Sequence, residues 1–191
     1  MKKLLASLCV LAAAACAQEF RLGAPVSDFS LTDLKGSPVQ YAALKGSTTV
    51  VIFISIVCPI SNGYNERMKA VYNDYAPKGV HFVFINANIN ESAAAVEKHA
   101  KDHAFPFPVY KDTSDEVADR FGAQVTPETF IMDSSGVIRY HGYVDDSLNE
   151  ARVHNQGLRT ALDAVMAGKP VENAQTKAFG CTIKRRRRPV S

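Results

Sequence analysis

The sequence has no tryptophan and only four cysteines among 191 residues. So few cysteines exclude a disulfide-dense secreted scaffold, and 11 glycines exclude a collagen-like chain. No apolar run reaches the roughly 20 residues needed to span a bilayer. A large excess of one charge is also missing. The formal net charge is +3 with 47% hydrophobic residues, too apolar a balance for disorder. No repeat period is visible, which argues against a solenoid. What remains is one globular domain of ordinary size.

The two ends differ from the middle. Lys2 and Lys3 precede an apolar run from Leu4 to Ala15, and Ala15-Cys16-Ala17 has the small-x-small pattern of a cleavage site. Residues 1–17 are therefore expected to be a secretory signal peptide, with export to a bacterial periplasm. The alternative is a lipoprotein signal with Cys16 acylated. Simple cleavage removes Cys9 and Cys16 and leaves Cys58 and Cys181 in the exported chain. At the other end, Lys184 to Arg188 are five consecutive cations. Without these and Lys2 and Lys3, residues 18–183 keep 15 Lys/Arg against 19 Asp/Glu, so the body is acidic. Nucleic-acid binding fits poorly with an exported acidic body. The tail is expected either to be solvated or to touch an anionic membrane surface.

The middle alternates strands and helices. Thr48 to Val57 (TTVVIFISIV) is rich in β-branched residues and almost all apolar, as in a central strand buried on both faces. Tyr64, Met68, Val71, Tyr72 and Tyr75 form one helical stripe, ended by Pro77 and Gly79. Val80 to Asn86 is a second buried strand, which completes a right-handed βαβ unit. Asn90 or Ser92 is placed to cap a helix reaching about His103. Phe105 to Tyr110 reads as a short or edge strand, and Ser114 as the cap of a helix ending at Phe121-Gly122. Thr129 to Met132 and Val137 to Val144 flank the turn Asp133–Gly136 as a hairpin. Leu158, Ala161, Leu162, Val165 and Met166 stripe a last helix. The expected class is α/β, a mixed central sheet with helices on both faces. The expected division is residues 18–171 as the domain and 172–191 as an extension carrying Cys181.

Cys58 falls where the central strand gives way to the first helix. Open α/β sheets place their sites at such strand ends. The unpaired N–H groups of a helix start favour an anion, and a thiolate there is a nucleophile near neutral pH. Pro59 suits the first helical turn.

With these residues in view the chain resembles a redoxin of the alkyl hydroperoxide reductase / thiol-specific antioxidant group, on a thioredoxin fold. LGAPVSDFSLTDLKGSPVQ resembles that group's N-terminal hairpin. SIVCP resembles the segment of the peroxide-reactive cysteine, with Ser55 three residues ahead of Cys58. VTPETFIMDSSGVIRYHG resembles the cis-proline strand and hairpin, with Pro127 as the proline. There are departures. Val51 stands where peroxiredoxins carry a proline, and Pro127 where they carry a peroxide-activating arginine. Ser61 replaces the second cysteine of a C-x-x-C pair, so no local disulfide can form. The resemblance implies that Cys181 is the second thiol. Three readings of the pair stand open: a resolving thiol for an oxidised Cys58, a permanent structural bridge, or two metal ligands. It also implies that the backbone of Thr126 pairs with a bound peptide.

Other residues deserve weighing. The hairpin returns His141, Asp145 and Asp146 to the end of the sheet that holds Cys58. His141 is a candidate base or thiolate partner. Ser61 and Asn62 lie in the first helical turn, where they can donate to a thiolate or cap the helix. Glu128 can tune the cysteine or stand as a surface carboxylate. His99 and His103 share one helix side at metal-ligand spacing without an evident third ligand. The leading expectation is an exported thiol oxidoreductase in which Cys58 attacks a peroxide or a protein disulfide and Cys181 resolves. An external thiol reductant regenerates it, and no organic cofactor is needed. A copper site of Cys58, Cys181 and His141 is one alternative. A non-catalytic module with a structural bridge is the other.

Overall fold

The computed structural model describes residues 20–186. Among these residues nine strands are formed: β1 (Ser30–Thr32), β2 (Pro38–Gln40), β3 (Thr48–Ile54), β4 (Val80–Asn86), β5 (Val109–Lys111), β6 (Val125–Thr126), β7 (Glu128–Met132), β8 (Ile138–Gly142) and β9 (Cys181–Thr182). The helices are α1 (Pro59–Gly63), α2 (Asn65–Tyr75), α3 (Ala93–Asp102), α4 (Glu116–Phe121) and α5 (Gly157–Met166). Seven strands make one mixed sheet in the order β2-β1-β5-β4-β3-β7-β8, while β6 and β9 pair separately. No helix of the described residues is long and apolar enough to cross a membrane. The expected signal peptide, Cys9, Cys16, Arg187 and Arg188 lie outside the described residues.

Strand β3 sits in the middle because every one of its residues can be dry. All seven are buried, and each large side chain contributes about 1.5–3 kcal/mol when removed from water. It runs parallel to β4 and antiparallel to β7. Its alternate side chains feed two cores. Val50, Ile52 and Ile54 face Met68, Val71, Tyr75, Leu158 and Leu162 of α2 and α5. Val51 and Phe53 face Phe29, Phe121 and Phe130 on the other side.

Two local expectations are settled. Of the two readings of the strand ending near Tyr110, the short one holds, with β5 three residues long, and the edge one does not: Thr32 of β1 pairs with Lys111, so the N-terminal hairpin covers it. Ser114 does not cap α4 directly, because Asp115 takes the cap position in a left-handed conformation with φ 63°. The buried carboxylate of Asp112 accepts the Ala118 N–H instead, at 2.8 Å. Ser92 does cap α3, accepting the Ala95 N–H.

The return of the hairpin places Asp145 against the junction of α1 and α2. Its carboxylate accepts Tyr64 Oη at 2.7 Å and Arg67 Nη1 at 2.6 and 2.7 Å. Burial and this carboxylate push the Tyr64 phenol well above its usual range. Asp146 is spent on the His154 N–H and the Asn155 amide. Both aspartates therefore brace loops. Removing the guanidinium leaves a buried carboxylate without its ionic partner, so Arg67→Met is expected to lower stability by roughly 3 kcal/mol in urea unfolding.

Candidate active site

Cys58 is the N-cap of α1, with Pro59 as the first helical residue. The turn Ser55–Cys58 that delivers it is held by side chains rather than by strand pairing. Ser55 Oγ accepts the Cys58 N–H at 3.1 Å and the Val57 N–H at 3.3 Å. The Ser55 N–H donates to Ser61 Oγ at 3.1 Å, and the Asn62 amide donates to the Ile56 carbonyl at 2.9 Å. Cys58 Sγ accepts the Ser61 N–H at 3.3 Å and lies 3.5 Å from the Thr126 carbonyl oxygen. Ser61 thus acts through its backbone on the sulfur and through its hydroxyl on the turn. Cys58 is only 1% exposed.

The residue expected to partner it is there. Cys58 and Cys181 form a disulfide with Cα atoms 5.7 Å apart, across 123 positions of sequence. The peptide bond between Thr126 and Pro127 is cis, as the cis-proline resemblance implies. Thr126 pairs antiparallel with Cys181, and Val125 with Thr182. The edge that the resemblance assigned to a bound peptide is therefore filled by the chain's own C-terminal segment.

That segment is a strap anchored on both sides of Cys181. Before it, the Ala174 carbonyl accepts the His141 N–H at 2.9 Å, and the Thr176 N–H donates to the His141 carbonyl at 2.9 Å. Phe179 packs edge-on against Tyr64 with ring centroids 6.1 Å apart. After it, Ile183 is 3% exposed in the core, and its N–H donates to the Gln124 carbonyl at 2.9 Å. The start of the basic run is tied down as well. Arg185 pairs with Asp119 at 2.8 Å, the Arg186 N–H donates to Asp115 Oδ2 at 2.8 Å, and the Arg186 guanidinium reaches the Thr113 carbonyl. The expectation of a solvated tail is corrected for Arg185 and Arg186, which are tied to the domain.

His141 has another partner than the thiols. Its Nε2 lies 2.6 Å from Glu128 Oε1, and its ring stacks on Phe130 with centroids 4.3 Å apart. Glu128 Oε2 accepts the N–H groups of Gln124 and Val125 at 2.6 and 3.1 Å. Glu128 is 4% exposed, not a surface carboxylate, and it and His141 brace the entry to β6. Among the described residues no three His, Cys, Asp or Glu side chains are grouped to hold a metal ion. The set Cys58, Cys181 and His141 is therefore not assembled. The His99 and His103 rings lie tilted against each other with centroids 4.2 Å apart, and burial with the neighbouring His103 holds the His99 pKa below its usual value.

Behind the Ser55 turn stands a buried polar group that sequence reasoning missed. Glu91 is 2% exposed, with Asn86, Asn88 and Lys111 around it. Its carboxylate accepts Ser55 Oγ–H at 2.6 Å, the Ile56 N–H at 2.8 Å and the Asn86 amide at 2.6 Å. The signal available was the polar stretch NANINE directly after a strand otherwise buried, together with a lysine at the end of β5.

A family model described as AhpC/TSA family matches residues 22–141. The chain belongs to this family. Among curated relatives, thiol-disulfide oxidoreductase ResA of Halalkalibacterium halodurans is 26% identical over 122 residues, 63% of this chain and 68% of the relative. ResA of Geobacillus kaustophilus is 28% identical over 118 residues, 62% and 67% of the two chains. Among solved structures, a hypothetical protein from Sinorhizobium meliloti is 35% identical with a TM-score of 0.80, covering 88% of this chain and 97% of that one. An uncharacterized conserved protein from Geobacillus kaustophilus gives 35% and 0.81, covering 90% and 95%. A Mycobacterium tuberculosis peroxidoxin, 20% identical at a TM-score of 0.63 over 78% of this chain and 98% of its own, shares the fold.

Gly180 is the constraint on the strap. Its φ is +154°, and an added Cβ would fall 1.9 Å from the Thr126 carbonyl oxygen, a main-chain atom that cannot yield cheaply. Gly180→Ala is expected to push Cys181 off β6. In non-reducing peptide mapping the fraction of bridged protein should fall, while the bulk of the domain still unfolds cooperatively.

Proposed function

We propose that the protein is an exported thiol–disulfide oxidoreductase that works through Cys58 and Cys181. The observation that carries this reading is the bridge between a helix-start cysteine and a strap docked on the cis-proline strand. In the reduced protein the Cys58 thiolate is stabilised by the Ser61 N–H at the helix start. It attacks one sulfur of a substrate disulfide. The other sulfur leaves as a thiolate, and a mixed disulfide remains on Cys58. The Cys181 thiolate then attacks Cys58 Sγ, expels the substrate as its second thiolate and closes the bridge. An external dithiol returns both cysteines to the reduced state and is itself oxidised to a disulfide.

A purely structural bridge is less well supported. Closing so long a loop is worth about 5 kcal/mol in the chain-entropy account. Yet Phe179, Ile183, Arg185 and Arg186 already anchor the strap independently of the sulfurs. Disulfide exchange is favoured over peroxide reduction because, among the described residues, the hydrogen bonds of the Cys58 sulfur go to the backbone of Ser61 and Thr126 and not to a guanidinium. Arg67, in α2, is committed to Asp145 and to the Ser147 and Leu148 carbonyls. The curated relatives named as thiol-disulfide oxidoreductases support the same choice.

The test uses the chain with Cys9→Ser and Cys16→Ser, so that two thiols remain. Reduced protein is mixed with oxidised glutathione, or in parallel with hydrogen peroxide, and followed by intact mass. Rapid bridge formation with glutathione is expected. A Cys181→Ser variant should stop at glutathione bound to Cys58, and a Cys58→Ser variant should react at least tenfold more slowly. A reduced protein that stays inert to glutathione would sink this reading, and a faster reaction with peroxide would replace it with a peroxidase.

A further inference from the structure

Both cysteines are positioned by the same short loop. Residues 87–91 follow β4 and touch the Cys58 turn at one end and the Cys181 strap in the middle. At the Glu91 end, the carboxylate accepts Ser55 Oγ–H at 2.6 Å, and Ser55 Oγ in turn accepts the Cys58 N–H. Its second oxygen takes the Ile56 N–H and the Asn86 amide. In the middle, Asn88 Oδ1 accepts the Lys184 N–H at 2.8 Å, and the Ile89 N–H donates to the Lys184 carbonyl at 2.9 Å. Lys184 lies three residues beyond Cys181.

One ammonium shapes the loop. Lys111 Nζ donates to the Asn88 carbonyl at 3.0 Å, the Glu91 carbonyl at 2.7 Å and Asn86 Oδ1. Lys111 is 6% exposed, and burial lowers its pKa against the opposing pull of Glu91, Asp112 and Asp115. Two buried charges and two buried amides are an expensive way to close a loop that apolar residues could close. Their arrangement does one thing that apolar packing cannot. It converts the position of a single loop into directional bonds on both cysteine-bearing segments.

We propose that Glu91 and Lys111 are positioning residues for the dithiol, holding Cys58 and Cys181 face to face in the reduced protein as well as the bridged one. The proposal rests on the redox reading above. Neither residue touches the sulfurs. Their effect is on the effective concentration of one thiol at the other, and so on how strongly the bridge forms relative to an external disulfide. A loosened loop leaves each cysteine in place on its own element but lets the pair drift apart.

The balance that reads this is bridged protein plus two glutathione thiols giving reduced protein plus oxidised glutathione. It is measured on the chain with Cys9→Ser and Cys16→Ser by acid quenching and mapping. Glu91→Gln and Lys111→Met are each expected to shift the constant at least tenfold toward the reduced protein. Combining them should shift it little further, since both act through one loop. Tyr75→Phe removes the buried phenol bonded to Asp163, remote from the loop, and should lower stability while leaving the constant within twofold. Constants within twofold of the parent for both loop variants would overturn the proposal, as would an equal shift in Tyr75→Phe. If Glu91→Gln does not fold, Lys111→Met and Asn88→Ala decide the matter by the same criterion. A parent bridge that fails to exchange at all would bring down the redox reading, and this proposal with it.

Discussion

The pairing of two residues of β9 with two of β6 is the contact on which the site depends. Without it, Cys58 and Cys181 are strangers at opposite ends of the domain. Thr126 contributes both its carbonyl, which faces Cys58 Sγ, and its place in the register with Cys181. The cis bond to Pro127 follows directly and leads into β7, which is clamped to the central strand. The site is therefore built beside the central strand of the sheet, while the second cysteine arrives on a strand that pairs with β6 alone. Gly180 is the concession that lets the backbone of that segment come close.

Around this contact the polar groups are arranged to fix backbone rather than to meet the sulfur. Glu128 receives the Gln124 and Val125 N–H groups and is braced by His141. Ser55 receives the Cys58 N–H and is braced by Glu91. Each side of the disulfide thus has a buried carboxylate one bond removed from the chain that carries it. Unpaired buried carboxylates would be costly, and both are saturated with short hydrogen bonds.

Much of the architecture was legible because it is written in periodicity. A run such as TTVVIFI can only be dry on both faces, and the stripe from Tyr64 to Tyr75 has one helical face. The pair Cys58 and Cys181 was legible by resemblance, supported by their being the two cysteines beyond the N-terminal apolar run. The side chains around them were not. His141 could be placed at the correct end of the sheet, but whether it turned to a sulfur or to Glu128 depends on packing against Phe130. Glu91 and Lys111 lie 20 positions apart and meet only because β4 and β5 are parallel neighbours. A sequence shows such residues as ordinary surface charges. Whether β5 was an edge strand or only a short one was undecided for a related reason: its second neighbour comes from the N-terminal hairpin, far away in the chain.

The position of the second cysteine also changes the topology of the molecule. A C-x-x-C bridge closes a ring within a single helical turn, and opening it leaves the connectivity of the domain untouched. Here the covalent ring encloses nearly everything from the first helix to the last strand. A single backbone cut within that ring leaves one covalent body while the sulfurs are joined and two separable fragments once they are not. The redox state of two atoms thereby decides whether a nicked copy of this protein survives as one molecule.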